Sequence, residues 1–234
     1  VSIAKYGRPG FHVTTGITQA PDEIVKQLGA FPVSILCDAL GHRGVMDAGI
    51  EPVLPNAAMA GRALTVATRP ADNLFAHVAL KLAGPGDVIV IDAKGDQSCA
   101  IWGDLMARHA IEKGVAGLIV DGPVRDRAEL IELNWPVYSR GVNPRGPEKD
   151  GPGEVNSPIA CGGVPVNPGD IIIGDGDGVI AIPQDMAETA VERATARVTA
   201  EQKYADAIAR GDDNPFGVIE TLREKGLLGE DETL

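Results

Sequence analysis

The stretch that decides the fold is "GDLMARHAIEKGVAGLIVDGPVRD", residues 103–126. "LMARHAIEK" reads as a helix that Gly114 ends, and "VAGLIVD" as the strand that follows. A helix of ~10 residues advances ~15 Å, and a returning strand of ~6 residues covers ~20 Å. A strand running back antiparallel to the helix therefore delivers its C-terminal end beside the helix's N-terminus. Asp104 and the pair Arg125-Asp126 then share one site. The first-turn amides, roughly those of Gly103, Asp104, Leu105 and Met106, are unpaired donors at the positive end of the helix dipole. They form a cradle for an anion such as the carboxylate of a small substrate. Asp104 and Asp126 supply hard oxygen ligands, and carboxylates without His or Cys partners favour Mg2+ or Mn2+ over zinc. Arg125 offers a planar, permanently charged fork for a carboxylate or a developing enolate. Plainer duties suit the same residues: an Asp near a helix start caps it, and an Arg-Asp after a strand forms a surface ion pair.

Working outward, "PDEIVKQLG" (21–29) predicts a short helix, with Pro21 at its start, acids in the first turn and Gly29 at its end. A second helical segment around "VSILCDALG" ends at Gly41. "AGRALTVATRP" (60–70) has strand character, and "NLFAHVALKLAG" (73–84) places apolar residues at helical spacing with Gly84 as its stop. The turn and strand of "GPGDVIVIDA" (84–93) recur as "VNPGDIIIGD" (166–175), where Pro-Gly turns the chain and a β-branched run extends it. Two copies are too few for a solenoid. Between them, "GVNPRGPEKDGPGEVNSP" (141–158) is about as long a structureless stretch as a compact domain tolerates, so it is either functional or mobile. From "PQDMAETAVERATARVTAEQKYADAIARG" (183–211) a helix on the order of 40 Å is expected, long enough to touch a neighbour. The strict alternation of a doubly wound sheet is not expected over either half, because strand-turn-strand units interrupt it. The fold class is mixed α/β.

Composition sets the outer limits. A chain of 234 residues is long enough for a self-sufficient core. Its 21 Lys and Arg against 33 Asp and Glu, a formal charge of −12, lack the basic footprint that nucleic-acid binding requires. Cys37, Cys99 and Cys161 are far apart in sequence, with no C-x-x-C spacing, which argues against a disulfide framework or a zinc site and for a reducing, cytoplasmic setting. The first ten residues contain no apolar targeting segment, and runs such as "VIVI" are far short of the ~20 residues a membrane span needs.

The spacing of Asp104 and Arg125-Asp126 within "GDLMA…GVAGLIVDGPVRD" resembles the signature of the class II pyruvate aldolases. These cleave 4-hydroxy-4-methyl-2-oxoglutarate and 4-carboxy-4-hydroxy-2-oxoadipate and share a fold with the regulator of ribonuclease activity. The resemblance extends to "AGRALTVATRPADN", "PGDVIVID", "GPGEVNSPIACGGVPVNPGD" and "GDGDGVIAIP", roughly residues 30–205. It implies a layered α/β sandwich of the phosphohistidine swivelling-domain type, with residues 1–183 as the catalytic domain and 184–234 as a C-terminal helical extension that contacts a neighbouring subunit. It implies that Asp126 binds Mg2+ or Mn2+ directly and Asp104 through water. Arg125 would contact the pyruvyl group and its enolate, and the amides of Gly103, Asp104, Leu105 and Met106 would hold a carboxylate. Lys149 would reach the site from the long loop. Glu201 would come from the adjacent subunit of a trimer or dimer of trimers, with Glu188 and Glu192 on the same helix as alternatives.

The implied reaction removes a proton from the tertiary alcohol at carbon 4 of a 2-oxo acid. A carboxylate with a pKa near ~4 is a poor base for an alcohol, so metal-activated water is the expected agent. Oxaloacetate decarboxylation passes through the same enolate and is the expected side activity. Two other classes compete: a non-catalytic oligomeric regulator, which has no need of Asp126, and a Schiff-base aldolase, for which Lys94 is the best candidate. "IIIGDGDGVI" reads as a turn between strands rather than a phosphate loop, because "VIAIP" continues as strand. Arg140, Arg145 and Lys149 either line an anion entrance or belong to a solvated loop. Cys161 reads as a small buried residue. His12, His42, His77 and His109 show no ligand spacing and read as structural or exposed.

Overall fold

A computed structural model describes residues 3–230 and 232. The chain opens with a hairpin, β1 (Ala4–Arg8) and β2 (Phe11–Thr15), and two short helices, α1 (Asp22–Leu28) and α2 (Val33–Ala39). It continues through β3 (Glu51–Pro52), β4 (Met59–Thr68), α3 (Leu74–Leu82), β5 (Asp87–Asp92), α4 (Asp104–Glu112), β6 (Gly117–Val124), α5 (Arg127–Glu132) and β7 (Val137–Val142). Short strands follow: β8 (Gly153–Val155), β9 (Ile159–Cys161), β10 (Val164–Val166), β11 (Ile171–Asp175) and β12 (Gly178–Ile182). The chain ends in α6 (Ala187–Ala209) and α7 (Val218–Glu224).

Residues 59–142 therefore alternate strand and helix without interruption, a stricter rhythm than the sequence suggested. Four strands, β4-β5-β6-β7, lie parallel side by side, with Val66 opposite Ile91, Val90 opposite Ile119 and Leu118 opposite Val137. Their residues are buried at most positions, as expected for parallel strands covered on both faces. Successive residues alternate between the two faces. Leu64, Val66, Ile89, Ile91, Leu118 and Val120 join one core cluster, and Ala63, Val88, Val90 and Ile119 join the other. Buried residues of α3, α4 and α5 all pack into the first cluster, so the three crossovers cover the same face of the sheet. β4 is the hinge of the topology: its first residues pair antiparallel with β11 and its last with β8, which extends the sheet through β2 and β1.

The stretch 141–158 is not free of structure. It holds the end of β7 and all of β8, and the residues between them are tied to the α3 start. The glycine-rich "GDGDG" is the turn of the β11–β12 hairpin, as read from sequence. In α6, 23 residues long and thus about 35 Å, Ala187, Ala190 and Ala194 bury against α1, α2 and the β11–β12 hairpin. Further along, Val198, Tyr204 and Ile208 face outward. The first turns of the expected extension are thus part of the core. Residues 1, 2, 231, 233 and 234, at the ends of the expected 1–183 and 184–234 division, lie outside the described residues. Among the described residues no helix is long and apolar enough to cross a membrane.

Candidate active site

α4 starts beside the C-terminal end of β6. The loop after β5 brings Trp102 into a parallel bridge with Val124, and the Arg125 amide donates to the Trp102 carbonyl at 3.0 Å. The chain then turns through Asp126, which sits at φ 60°, ψ 46° at the head of α5. A left-handed backbone costs an ordinary residue on the order of 1–3 kcal/mol and is tolerated best by Asp and Asn. Here it carries the Asp126 carboxylate to the α4 terminus, where Oδ2 accepts a bond from the Asp104 amide at 3.3 Å. Gly103 makes that approach possible. A Cβ on it would lie 2.5 Å from Asp126 Oδ2 and 3.2 Å from Arg125 Cγ and Nε.

The chain reversal read from residues 103–126 is therefore present, and Gly103, Asp104, Leu105, Met106, Arg125 and Asp126 line one cavity of about 280 Å³. Asp126 supplies the side-chain acceptor at the N-terminus of α4, where Gly103 has none to offer. Leu105 is largely exposed and forms an apolar rim. Arg125 Nε lies 3.4 Å from Asp126 Oδ2, and Arg108 Nε lies 3.3 Å from Asp104 Oδ2.

Lys149 lines the same cavity although it comes from the long loop. The anchor is Asp72, whose carboxylate is fully buried. Its Oδ2 accepts the Asp150 and Gly151 amides at 2.7 and 2.9 Å and lies 3.2 Å from Arg69, while Oδ1 accepts the Leu74 amide at 2.9 Å. Backbone bonds between Asn73 and Glu148 and between Glu148 and Ala71 complete the clamp. The 141–158 loop is thus held at the cavity by a buried carboxylate.

Three further residues of the cavity, Asn73, His77 and Trp102, carry no signal in the sequence that singles them out. His77 departs from the expectation that every histidine is structural or exposed. It is partly buried on α3, and burial, then the nearby Lys149 and His109, push its imidazole below the ordinary range and favour the neutral ring. His42 is exposed, as expected, but α2's end brings it near Cys37 and Asp38, and these are the residues that converge closely enough to hold a metal among the described residues. Asp38 already pairs with Arg197 at 2.7 Å.

Other candidates lie elsewhere. Arg140 is turned to Asp121 and Asp47 and does not line the cavity. Arg145 is exposed, and its carbonyl accepts the Ala100 amide. Lys94 pairs with Asp92 and is half-exposed, the opposite of the desolvated lysine that Schiff-base chemistry needs. Cys161 is buried, and burial pushes its thiol well up, away from a nucleophile's range. Within the chain Glu201 is remote from the cavity: it pairs with Arg197 at 3.2 Å and borders a separate hollow with Phe31, Pro32 and Val198.

Whether the cavity suits a divalent cation follows from its donors. Asp104 and Asp126 each engage Oδ2 with a protein donor, and among the described residues neither Oδ1 accepts a hydrogen bond. Mg2+ takes one or two carboxylates and keeps several waters, so two free carboxylate oxygens at an open cavity fit it.

The chain resembles known proteins across this region. The family model described as "RraA-like: Aldolase/RraA" matches residues 33–181, which include every cavity residue named above but not Glu201. A protein of Halalkalibacterium halodurans named "Putative 4-hydroxy-4-methyl-2-oxoglutarate aldolase" is 40% identical over 194 residues, 83% of this chain and 90% of that one. A Thermus thermophilus protein named "4-hydroxy-4-methyl-2-oxoglutarate aldolase" is 37% identical over 113 residues, 48% of this chain and 69% of its own. The solved structure of Streptomyces coelicolor RraAS2, described as an unusual member of the RNase ES inhibitor RraA protein family, superposes with a TM-score of 0.73 at 28% identity. It covers 80% of this chain and 97% of that one. The mixed α/β fold, the matched segment and these relatives together place the chain in the RraA-like family of aldolases and RraA proteins.

Proposed function

We propose that this chain is a divalent-metal-dependent lyase of the class II pyruvate aldolase type. It cleaves 4-hydroxy-4-methyl-2-oxoglutarate, 4-carboxy-4-hydroxy-2-oxoadipate or both to pyruvate plus pyruvate or oxaloacetate, with oxaloacetate decarboxylation as a side activity. The observation that carries the reading is the meeting of Asp104, Arg125 and Asp126 at the N-terminus of α4, in one cavity with Lys149. A protein acting only through its outer surface has no need of two carboxylates, a guanidinium and an ammonium around one small cavity. That favours the enzyme over the non-catalytic regulator.

In this reading the first-turn amides of α4 and its dipole hold the substrate's carboxylate. Asp126 would hold Mg2+ or Mn2+ directly, and Asp104 would hold it through water. When bound, the metal polarises the 2-oxo group and lowers the pKa of water at the site to supply a base near neutral pH. Arg125 stabilises the negative charge that develops on the enolate oxygen, a preorganised cation facing a charge that grows in the transition state. Lys149 neutralises the distal carboxylate and holds it over the cavity. Proton delivery to the enolate carbon completes pyruvate. Oxaloacetate reaches the same enolate by losing carbon dioxide, so one set of contacts serves both reactions.

Glu201 is assigned to the cavity of a neighbouring copy in a trimer or dimer of trimers, carried there by the helical extension, residues 184–234. Its remoteness from its own chain's cavity is what supports that assignment. The swivelling-domain description of the 1–183 layer belongs to the same proposal. The test is pyruvate release from 4-hydroxy-4-methyl-2-oxoglutarate, coupled to lactate dehydrogenase, with Mg2+, with chelator and with Asp126→Ala. Activity that requires both metal and Asp126 supports the reading. A folded, metal-supplied protein that releases no pyruvate from this substrate, its carboxylated relative or oxaloacetate sinks it.

A further inference from the structure

Two residues that line the cavity each carry a buried polar atom with no partner among the described residues. Asn73 and Trp102 are 5% and 1% exposed, and among the described residues neither Asn73 Oδ1 nor Trp102 Nε1 has a hydrogen-bond partner. Leaving a buried donor or acceptor unpaired costs about 1–3 kcal/mol, so folds seldom do it twice around one cavity without a ligand to supply the missing bonds.

Both side chains are held in place by other contacts. Asn73 stands at the N-cap of α3, where an asparagine ordinarily turns its side chain onto the helix amides, yet it makes no such bond. Asp72 caps the Leu74 amide instead. Asn73 Nδ2 donates to the Ile101 carbonyl at 3.0 Å, which fixes the amide orientation, since an oxygen there would meet a carbonyl oxygen. Oδ1 is therefore the free acceptor. Trp102 stacks on Trp135 with ring centroids 6.5 Å apart. Trp135 Nε1 donates to the Val115 carbonyl at 2.8 Å, whereas the indole N–H of Trp102 is left over. The strand bridge beside Arg125 fixes Trp102 further.

A rigid donor and a rigid acceptor select a ligand that brings both an acceptor oxygen and an O–H. Pyruvate and keto-form oxaloacetate offer only acceptors; a 4-hydroxy-2-oxo acid offers both. We propose that Asn73 Oδ1 accepts the hydrogen bond of the substrate's C4 hydroxyl while Trp102 Nε1 donates to an oxygen of the same molecule. The pair makes the cavity selective for hydroxylated over non-hydroxylated 2-oxo acids. This rests on the aldolase reading for its substrate class, and on the two unpaired atoms for its residues.

The test compares two reactions on one protein sample, so that a partly folded variant lowers both alike. Asn73→Ala, and Asn73→Leu to refill the volume, are assayed for cleavage of 4-hydroxy-4-methyl-2-oxoglutarate and for decarboxylation of oxaloacetate. The ratio of the two kcat/KM values is expected to fall at least about tenfold, the loss of one substrate hydrogen bond. Calorimetry with 4-methyl-2-oxoglutarate, which lacks the hydroxyl, is expected to give the wild-type Kd with the Asn73 variants and a weaker one with Trp102→Phe. An unchanged ratio, or equal loss in both reactions, overturns the proposal and leaves Asn73 a structural residue. Should the wild type cleave neither substrate, the aldolase reading fails on its own. The binding comparison then decides for Asn73: the hydroxylated acid must bind wild type more tightly than its deoxy analogue, and Asn73→Ala must remove the difference.

Discussion

Gly103→Ala offers a sharp separation of site from scaffold. Gly103 has φ −148° and ψ −174°, an extended conformation that alanine adopts without strain. The obstacle is local. An added Cβ would sit 2.5 Å from Asp126 Oδ2, and since real Cβ atoms essentially never approach within 3.0 Å, that carboxylate must retreat by at least 0.5 Å. Arg125 Cγ and Nε, at 3.2 Å, are crowded on the same side. Both atoms belong to side chains, so the fold can absorb the change. The stability cost is that of exchanging glycine for alanine at an N-cap, about 0.5–1 kcal/mol, or roughly 1–4 °C in Tm for a chain of this size. The catalytic cost is larger, because a misplacement approaching 1 Å can lower a rate about 100-fold.

The expected result for Gly103→Ala is therefore a Tm within a few degrees of wild type, a fall in kcat/KM of about 100-fold for pyruvate release, and a weaker apparent affinity for Mg2+. Calorimetry and the coupled assay, run across a metal titration, read all three. Full activity at ordinary Mg2+ would show that neither Asp126 Oδ2 nor Arg125 needs its present position, and the site as argued would be wrong. A collapse in Tm would place Gly103 in the scaffold instead.

Three other outcomes follow from the same geometry. Asp126→Asn keeps an oxygen for the Asp104 amide but removes the charge, so metal-dependent cleavage should fall at least about 100-fold with little change in Tm; a metal-loaded variant of wild-type activity would contradict the assignment. Lys149 is exposed, so Lys149→Ala should leave Tm unaltered while kcat/KM drops about 10–100-fold through loss of a charged contact, visible in steady-state kinetics. His77 has a folded pKa below its unfolded value, so between those two values the unfolded state binds the extra proton and stability rises with pH. Its contribution is complete above about pH 6.5, the unfolded value, and is lost as pH falls toward the folded one. Melting curves of His77→Gln should show a shallower loss below about pH 6.5 than wild type, and parallel curves would refute the shift.

Much of this site was legible because it is local in sequence. A helix, a glycine stop and a returning strand within residues 103–126 dictate that both ends meet, and no distant contact is needed to infer it. What escaped reading depends on distant contacts. Asn73 and Trp102 look like an ordinary helix cap and an ordinary core aromatic. Only the packing of α3 against the loop before α4 makes both residues line one cavity, each with a buried polar atom that has no partner among the described residues. His77 differs from the other histidines by its neighbours, and nothing in the sequence marks Asp72 as the anchor of the Lys149 loop, 78 and 79 residues away. The rhythm of residues 59–142 was underread for a different reason. α5 is only six residues long, too short for helical periodicity to register, and with it went the strand β7 that it introduces.

The plain and the functional readings of Asp126 need not compete. As a helix cap it accepts the Asp104 amide through Oδ2, and that bond together with its left-handed backbone holds the carboxylate in one orientation. Among the described residues Oδ1 accepts no hydrogen bond, and Asp104 lines the same cavity. A ligand carboxylate free to rotate would lose entropy each time it bound a cation; one already held by a cap loses less, which is the advantage of preorganisation. The strain at φ 60° makes the same point from the backbone, since a helix cap alone could be supplied by Ser or Thr at position 103 with no left-handed residue at all. Gly103 forgoes that cap, and the vacancy is filled from β6's end by an acid that arrives next to an arginine. Capping across the crossover thus orients Asp126 and Arg125 toward a single cavity, and Asp126→Asn, which retains the cap and discards the charge, is the substitution that tells the two duties apart.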